Sequence, residues 1–315
     1  MWGDPLDEEA GTDTDAETSS DAAPSSDEAP SSDGGSEEKG ELTIGGQDFT
    51  EMQVMASMYE QLLSNAGYDV TTKLVTTRDV YVGELSKGNV DVVPDYLAGM
   101  TDYLHTLENG EDAPPVSTND PEETLKALDP LVEEQGISML EPAEATDQNA
   151  FIVTEEFAQE NSLTTLSDLG ALGEPIKLAA PATCEGRSDC AKGLIEVYGI
   201  DISEIVPLEF ASAQMKDALK TGEVQLGETG TTDGSLDSLG LVLLEDDKGI
   251  QPAQNLIPAV NSDFLEENPD VADVLNELSA TLTTEDLTNL NLQVDLERQQ
   301  PEDVAQAYLE EKGLL

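Results

Sequence analysis

An α/β protein of two lobes, each a mostly parallel sheet flanked by helices, is the architecture this sequence predicts. Three observations predict it. A β-α-β-α-β pattern opens the apolar part of the chain, and the same pattern recurs 134 residues later. Further β-like stretches between and after the two copies take the chain out of the first lobe and back again. Two crossings make a hinge, and a hinge makes a cleft.

The first 40 residues stand apart. They are Ser, Asp, Glu, Ala, Pro and Gly with almost nothing to bury, so the composition predicts a disordered acidic tether. The first lobe is then expected over residues 41–143 with 250–315, and the second over 144–249. "ELTIGG" reads as a strand ended by Gly45-Gly46, and Thr50 with Gln53 as the capping box of a helix whose apolar stripe is Val54, Met55, Met58, Leu62 and Leu63. "YDVTTKLV", "RDVYVGELSKG" and "VDVVP" continue as strand, helix and strand.

In the second lobe "PIKLAAP", "CAKGLIEVYG", "IVPLEF", "SAQMKDALKTG" and "VQLGET" repeat that order. The β-like stretches "ISMLEP" and "AFIVT" lie between the copies, and "LVLLEDD" and "NLIPAV" follow them. The C-terminus reads as helices, opened by Pro269, "TTEDL" and Pro301 and stopped at Gly313, that pack on the first lobe.

Charge narrows the partners. There are 68 acidic residues against 13 basic ones, a net charge of −55, and residues 1–40 hold only 13 of the acids. Such a surface repels nucleic acid and anionic lipid. It suits a saline setting, with an ordinary acidic surface as the alternative. No run of 18 apolar residues occurs. The two cysteines, Cys184 and Cys190, read as a local disulfide and hence an extracytoplasmic protein; two buried free thiols are the alternative.

Chemistry finds little support. There is one histidine, His105, and no nucleophile elbow, Walker loop or dinucleotide fingerprint, so neither an enzyme, a cofactor nor a metal is expected. Ligand binding fares better, because open sheets hold ligands beyond the C-terminal ends of their strands. The loops there are "GGQDFT", "PDYLAG", "PATCEGR" and "ETGTTDG". The helix opened at Thr50 can hold an anion on its free N–H groups, Arg187 can grip a carboxylate, and Tyr96 can offer a π-face to a cation. A surface ion pair is the alternative role of Arg187, and turn packing that of Tyr96.

The order "TIGGQDFTE", "TTRDVY", "VDVVPDYLAG", "TCEGR", "GEV", "TTDG" and "LTTEDLTNLNLQVDLE" resembles the osmoprotectant-binding proteins of ABC importers, over about residues 41–315. That resemblance implies a type II periplasmic-binding-protein fold and capture of glycine betaine, choline, proline betaine or a bulkier relative. It also implies a permease and its ATPase as partners, a monomer, and a lipid anchor to the outer face of the membrane. In such proteins aromatic rings cage a quaternary ammonium while polar groups take the carboxylate.

Tyr96 matches one cage tyrosine. The other falls at Gly230, beside the retained Thr231, Thr232, Asp233 and Gly234. A family threonine is Gly99 here, and a common lysine is Gln47. Phe151 or Asn149 stands where another aromatic is frequent. With Phe49 and Thr50 on the first loop, and Thr77, Arg78 and Tyr81 at the start of the second helix as sources of a replacement ring and charge, these form the candidate site. One wall of the cage is missing. A ligand sensor or scaffold on the same fold, binding another zwitterion, is the alternative function.

Overall fold

A computed structural model describes residues 39–110 and 113–315. Apart from Lys39 and Gly40, the expected tether lies outside the described residues. Those two already belong to the folded body. Lys39 pairs with Asp270 at 2.6 Å, and the first strand starts at Gly40.

The first sheet is formed by β1 (Gly40–Gln47), β2 (Tyr68–Val75), β3 (Val92–Tyr96) and β4 (Ile137–Met139), with a late strand, β10 (Leu256–Asn261). The second is formed by β5 (Asn149–Thr154), β6 (Ile176–Ala180), β7 (Ile202–Pro207), β8 (Leu226–Gly230) and β9 (Leu241–Leu244). Their orders, β2-β1-β3-β10-β4 and β7-β6-β8-β5-β9, are the same pattern written twice. In each, the β-α-β-α-β unit is parallel, as its crossover helices require. The two remaining strands pair antiparallel, so each sheet is mixed.

Helices α1 (Thr50–Asn65), α2 (Arg78–Leu85), α3 (Leu97–Asn109) and α4 (Pro121–Gln135) serve the first sheet, and α5 (Glu155–Asn161), α6 (Leu166–Leu172), α7 (Ala191–Glu196), α8 (Ala213–Lys220) and α9 (Leu236–Leu239) the second. The chain ends in α10 (Ser262–Glu267), α11 (Asp270–Thr281), α12 (Thr284–Asp295) and α13 (Pro301–Lys312). The last three pack with α1 on one face of the first sheet, through Met52, Met55, Leu275, Leu287 and Leu309. The other face carries α2, α3 and α4 through Leu85, Met100 and Leu128. Strand alternation divides the cores: Val92 faces the first and Val93 the second. Cys184 and Cys190 are bonded to each other inside the core of the second lobe.

Three local readings of the sequence are corrected. Gly45 and Gly46 do not end β1, whose ladder with β2 runs on to Gln47 opposite Val75. They are there for close approach, since a Cβ on Gly45 would lie 2.8 Å from Val90 Cγ1. The Thr50–Gln53 capping box is also absent. Phe49 is the N-cap and its helix has no side-chain cap; Thr50 donates its hydroxyl to Asp295 and Gln53 its amide to Asp48, each at 2.7 Å. Finally, "PDYLAG" is no loop, because α3 starts at Leu97 directly after β3. The N–H groups of Leu97 and Ala98 donate to the carbonyls of Asn255 and Ala253, and that of Gly99 to the Gln254 side chain. A distant segment does the work that a turn residue would otherwise do.

That segment is one of the two crossings. Residues 140–148 lead from β4 to β5 and residues 245–255 from β9 to β10, and they run antiparallel to each other. Leu256 N–H donates to Ala145, Asp147 N–H to Gln254, and Asn255 Nδ2 to the Ala143 carbonyl.

Candidate functional site

Between the lobes lies a cavity of about 370 Å³, within the range of roughly 300–1,000 Å³ usual for small-ligand sites. From the first lobe it is lined by Phe49, Thr50 and Glu51 at the start of α1 and by Asn291 and Asp295 on α12. From the second it is lined by Phe210, Lys216, Gly230 and the loop Thr232–Ser235. Asp147, on a crossing segment, completes it. The lobes touch beside the cavity, where Gly234 sits so close to α12 that a Cβ would meet the Thr288 carbonyl at 2.7 Å.

Two phenyl rings face the cavity from opposite lobes. Phe49 and Phe210 are 39% and 43% exposed, so both rings stand partly open to solvent. Phe210 is presented by a turn in which Ala211 adopts φ +53°, a left-handed backbone that costs a non-glycine residue about 1 kcal/mol. A Cβ on Gly230 would lie 3.8 Å from Phe210 Cζ, so this ring borders the space over Gly230. Strained aromatic turns of this kind cluster at ligand sites. Phe210 does not stand out in the sequence because it closes the stretch "IVPLEF" and reads as part of a strand, which in the structure ends at Pro207.

Behind the rings the cavity is acidic. Glu51 is buried, although it lies in the first turn of α1. Its carboxylate accepts from the Tyr96 hydroxyl and, at 2.7 Å, from Asn291 Nδ2. Burial above all, then the nearby Asp147 charge, pushes its pKa up to about 7, against the pull of those two donors and Thr232. Burial likewise raises Asp147, against the pull of Thr232. Among the described residues Lys216 is the one cation lining the cavity, and it is taken: Asp233 holds it at 2.6 Å and Ser235 at 2.8 Å.

The residues singled out from the sequence fall into three places. Phe49, Thr50, Gly230 and Thr232 line the cavity, and Tyr96 stands behind it with its hydroxyl on Glu51. Thr231 hydrogen-bonds across the crossing, its hydroxyl to the Thr146 carbonyl at 3.3 Å.

Arg78 and Tyr81 bind Asp95 instead, through Arg78 Nη2 at 2.8 Å and the Tyr81 hydroxyl at 2.6 Å. Asp95 is buried, so the pair neutralises it. Thr77 is the exposed N-cap of α2, and Gln47 closes β1; neither lines the cavity. The Arg78 guanidinium covers Gly99 so closely that a Cβ there would lie 2.6 Å from Nη2, which accounts for the glycine.

Arg187, Asn149 and Phe151 lie in the second lobe away from this cavity. Arg187 grips Asp189 at 2.6 Å and the buried Glu228 at 3.2 Å, and Asn149 donates to the same Asp189. Phe151 is buried in the core.

Comparisons with known proteins identify the family and the fold. Residues 40–311 match the family described as the substrate binding domain of ABC-type glycine betaine transport systems. A glycine-betaine-binding protein of Pseudomonas aeruginosa is 27% identical over 87% of this chain and 88% of its own. The glycine betaine-binding protein YehZ of Escherichia coli is 29% identical over 86% of this chain and 90% of its own. The solved structure of apo YehZ superposes with a TM-score of 0.73 at 26% identity, covering 87% of this chain and 99% of that one. A glycine betaine/carnitine/choline transporter structure, at 21% identity and a TM-score of 0.74, shares the fold over 87% of this chain and 98% of its own. This chain belongs to the family of substrate-binding domains of ABC-type glycine betaine transport systems.

Proposed function

We propose that the protein captures a betaine-type or quaternary amine in the cavity between its lobes and delivers it, chemically unchanged, to an ABC permease and its ATPase. The observation that carries this is the pairing of Phe49 and Phe210, one from each lobe, around a cavity backed by Glu51 and Asp147. Two π-faces and two carboxylates suit an ammonium, each desolvated ring contributing about 2 kcal/mol. The uncapped N-terminus of α1 borders the same cavity and suits the carboxylate of a zwitterion.

Residues 41–143 with 250–315 act as one lobe and 144–249 as the other, turning about the paired crossings. Because both lobes contribute a ring, the ligand binds the closed state better and draws the equilibrium to it. The protein works as a monomer on the outer face of the cytoplasmic membrane, held by a lipid anchor, where the Cys184–Cys190 bond is stable. It performs no catalysis.

A thermal-shift screen of glycine betaine, proline betaine, choline and carnitine tests the reading. Binding should raise the melting temperature, and Phe210→Ala should weaken it about tenfold or more. Tyr96→Ala should weaken binding too, by releasing Glu51. If no quaternary amine shifts the melting temperature, the reading fails.

A further inference from the structure

The reading above leaves open which amines the cavity prefers, and its unsatisfied atoms bear on that. Asn291 is 8% exposed, lines the cavity, and has no hydrogen-bond partner for Oδ1 among the described residues. Its amide orientation is set by Glu51, which accepts from Nδ2 at 2.7 Å. Asp147 Oδ1 is also buried and unpartnered. Among the described residues these are the two orphaned buried side-chain atoms on the cavity wall, and both are acceptors. Leaving a buried acceptor unmade is costly, so a ligand that supplies donors gains what one without them forfeits.

The charges lead the same way. Glu51, Asp147, Asp233 and Asp295 border the cavity, while its lysine is engaged with Asp233 and Ser235. A fully methylated ammonium has no N–H to offer, and glycine betaine adds a carboxylate, a further acceptor and negative charge that the N-terminus of α1 answers but the two orphaned acceptors do not.

We propose that Glu51, Asp147 and Asn291 form a recognition site for the donor-bearing end of a cationic amine or amino alcohol, selecting such ligands over fully methylated zwitterions. This rests on the proposed capture of amines in this cavity. The rings of Phe49 and Phe210 take the alkyl groups, and an N–H or O–H of the ligand reaches Asp147 Oδ1 and Asn291 Oδ1. The specificity follows from the general rule that a site built around polar groups rejects the analogue that leaves them unpaired.

Isothermal titration calorimetry of the full chain with glycine betaine, choline and protonated N,N-dimethylethanolamine tests it. The first has no donor, the second one O–H, the third an O–H and an N–H. Choline and dimethylethanolamine should bind at least tenfold more tightly than glycine betaine. Asp147→Asn should cost both at least tenfold more than it costs glycine betaine. Should that variant not fold, the ratio in the unaltered protein decides. Glycine betaine binding as tightly as the other two, or a ratio unmoved by Asp147→Asn, would overturn the inference while leaving amine capture standing. Binding of none of the three would overturn both.

Discussion

The carboxylate of Asp147 occupies the space a side chain on Gly230 would need: a Cβ there would lie 2.9 Å from Oδ1. The resemblance read from the sequence implies a cage tyrosine at this position. A carboxylate of the crossing segment stands there instead, with the Phe210 ring beside it.

Restoring the tyrosine should fail by itself. Gly230→Tyr forces Asp147 aside and should destabilise the protein by about 1–3 kcal/mol, the usual cost of overpacking. Paired with Asp147→Gly, the same substitution should recover most of that loss. Urea unfolding of the two single variants and the double variant measures the coupling; additive effects would mean that the two positions do not compete for space.

The buried carboxylate on α1 makes stability and binding respond oppositely to pH. Glu51 has its pKa raised to about 7 in the folded protein, so below the unfolded value of 4.5 its contribution to stability is fully present. That contribution is lost as the pH rises through 7. Without ligand the melting temperature should therefore fall between about pH 4.5 and 7. A cation favours the ionised form, so affinity should rise over that window, by up to about tenfold per pH unit. The groups facing Glu51 are Tyr96 from β3, Asn291 from α12, Thr232 from the second lobe and Asp147 from the crossing. Asp233, which faces Asp147, and Lys216 complete the set. Glu51→Gln should flatten both profiles; calorimetry across pH 5–8 reads the affinity and a thermal melt the stability.

Arg78 acts through stability. Asp95 is 1% exposed and bound by Arg78 at 2.8 Å, so Arg78→Ala strands a buried charge and should cost about 3–5 kcal/mol. The protein that remains folded should bind its amine with unchanged affinity, because Arg78 does not line the cavity. A tenfold affinity loss by titration, with stability intact, would place Arg78 at the ligand instead.

The disulfide should matter for the second lobe alone. Cys184 and Cys190 are 6 residues apart, and closing so short a loop stabilises by about 2 kcal/mol in the chain-entropy description. Replacing both by serine should lower the unfolding free energy by that amount and add the cost of two polar groups in a buried site. Denaturant unfolding of the variant, against the reduced parent, separates the two contributions.

Local pattern carried the lobes. The alternation of strand and helix, the glycines such as Gly136, Gly173 and Gly313 that end helices and the proline-led helices at the C-terminus are written in neighbouring residues, where periodicity and turn chemistry act within a few positions. Thr283 and Asp286 cap α12 through a box legible as "TTED", and Gly313 stops α13 at φ +73°. By contrast, "PDYLAG" looked like a loop because the groups that start α3 lie more than 150 residues away, in Ala253, Gln254 and Asn255.

The site divides along the same line. The family resemblance drew attention to Tyr96 and Gly230, and the loops "GGQDFT" and "ETGTTDG" did reach the cavity. What the tertiary structure decided was which charges remained unanswered there. Arg78 and Arg187 looked free to hold a carboxylate, yet Asp95, Asp189 and Glu228 claim them. Glu51, Asp147, Phe210 and Asn291 are ordinary residues in an acidic chain until folding brings four separate elements around one cavity. A side chain's chemistry is set by its own atoms, but whether that chemistry is spent on the protein or left for a ligand depends on neighbours that only the fold supplies.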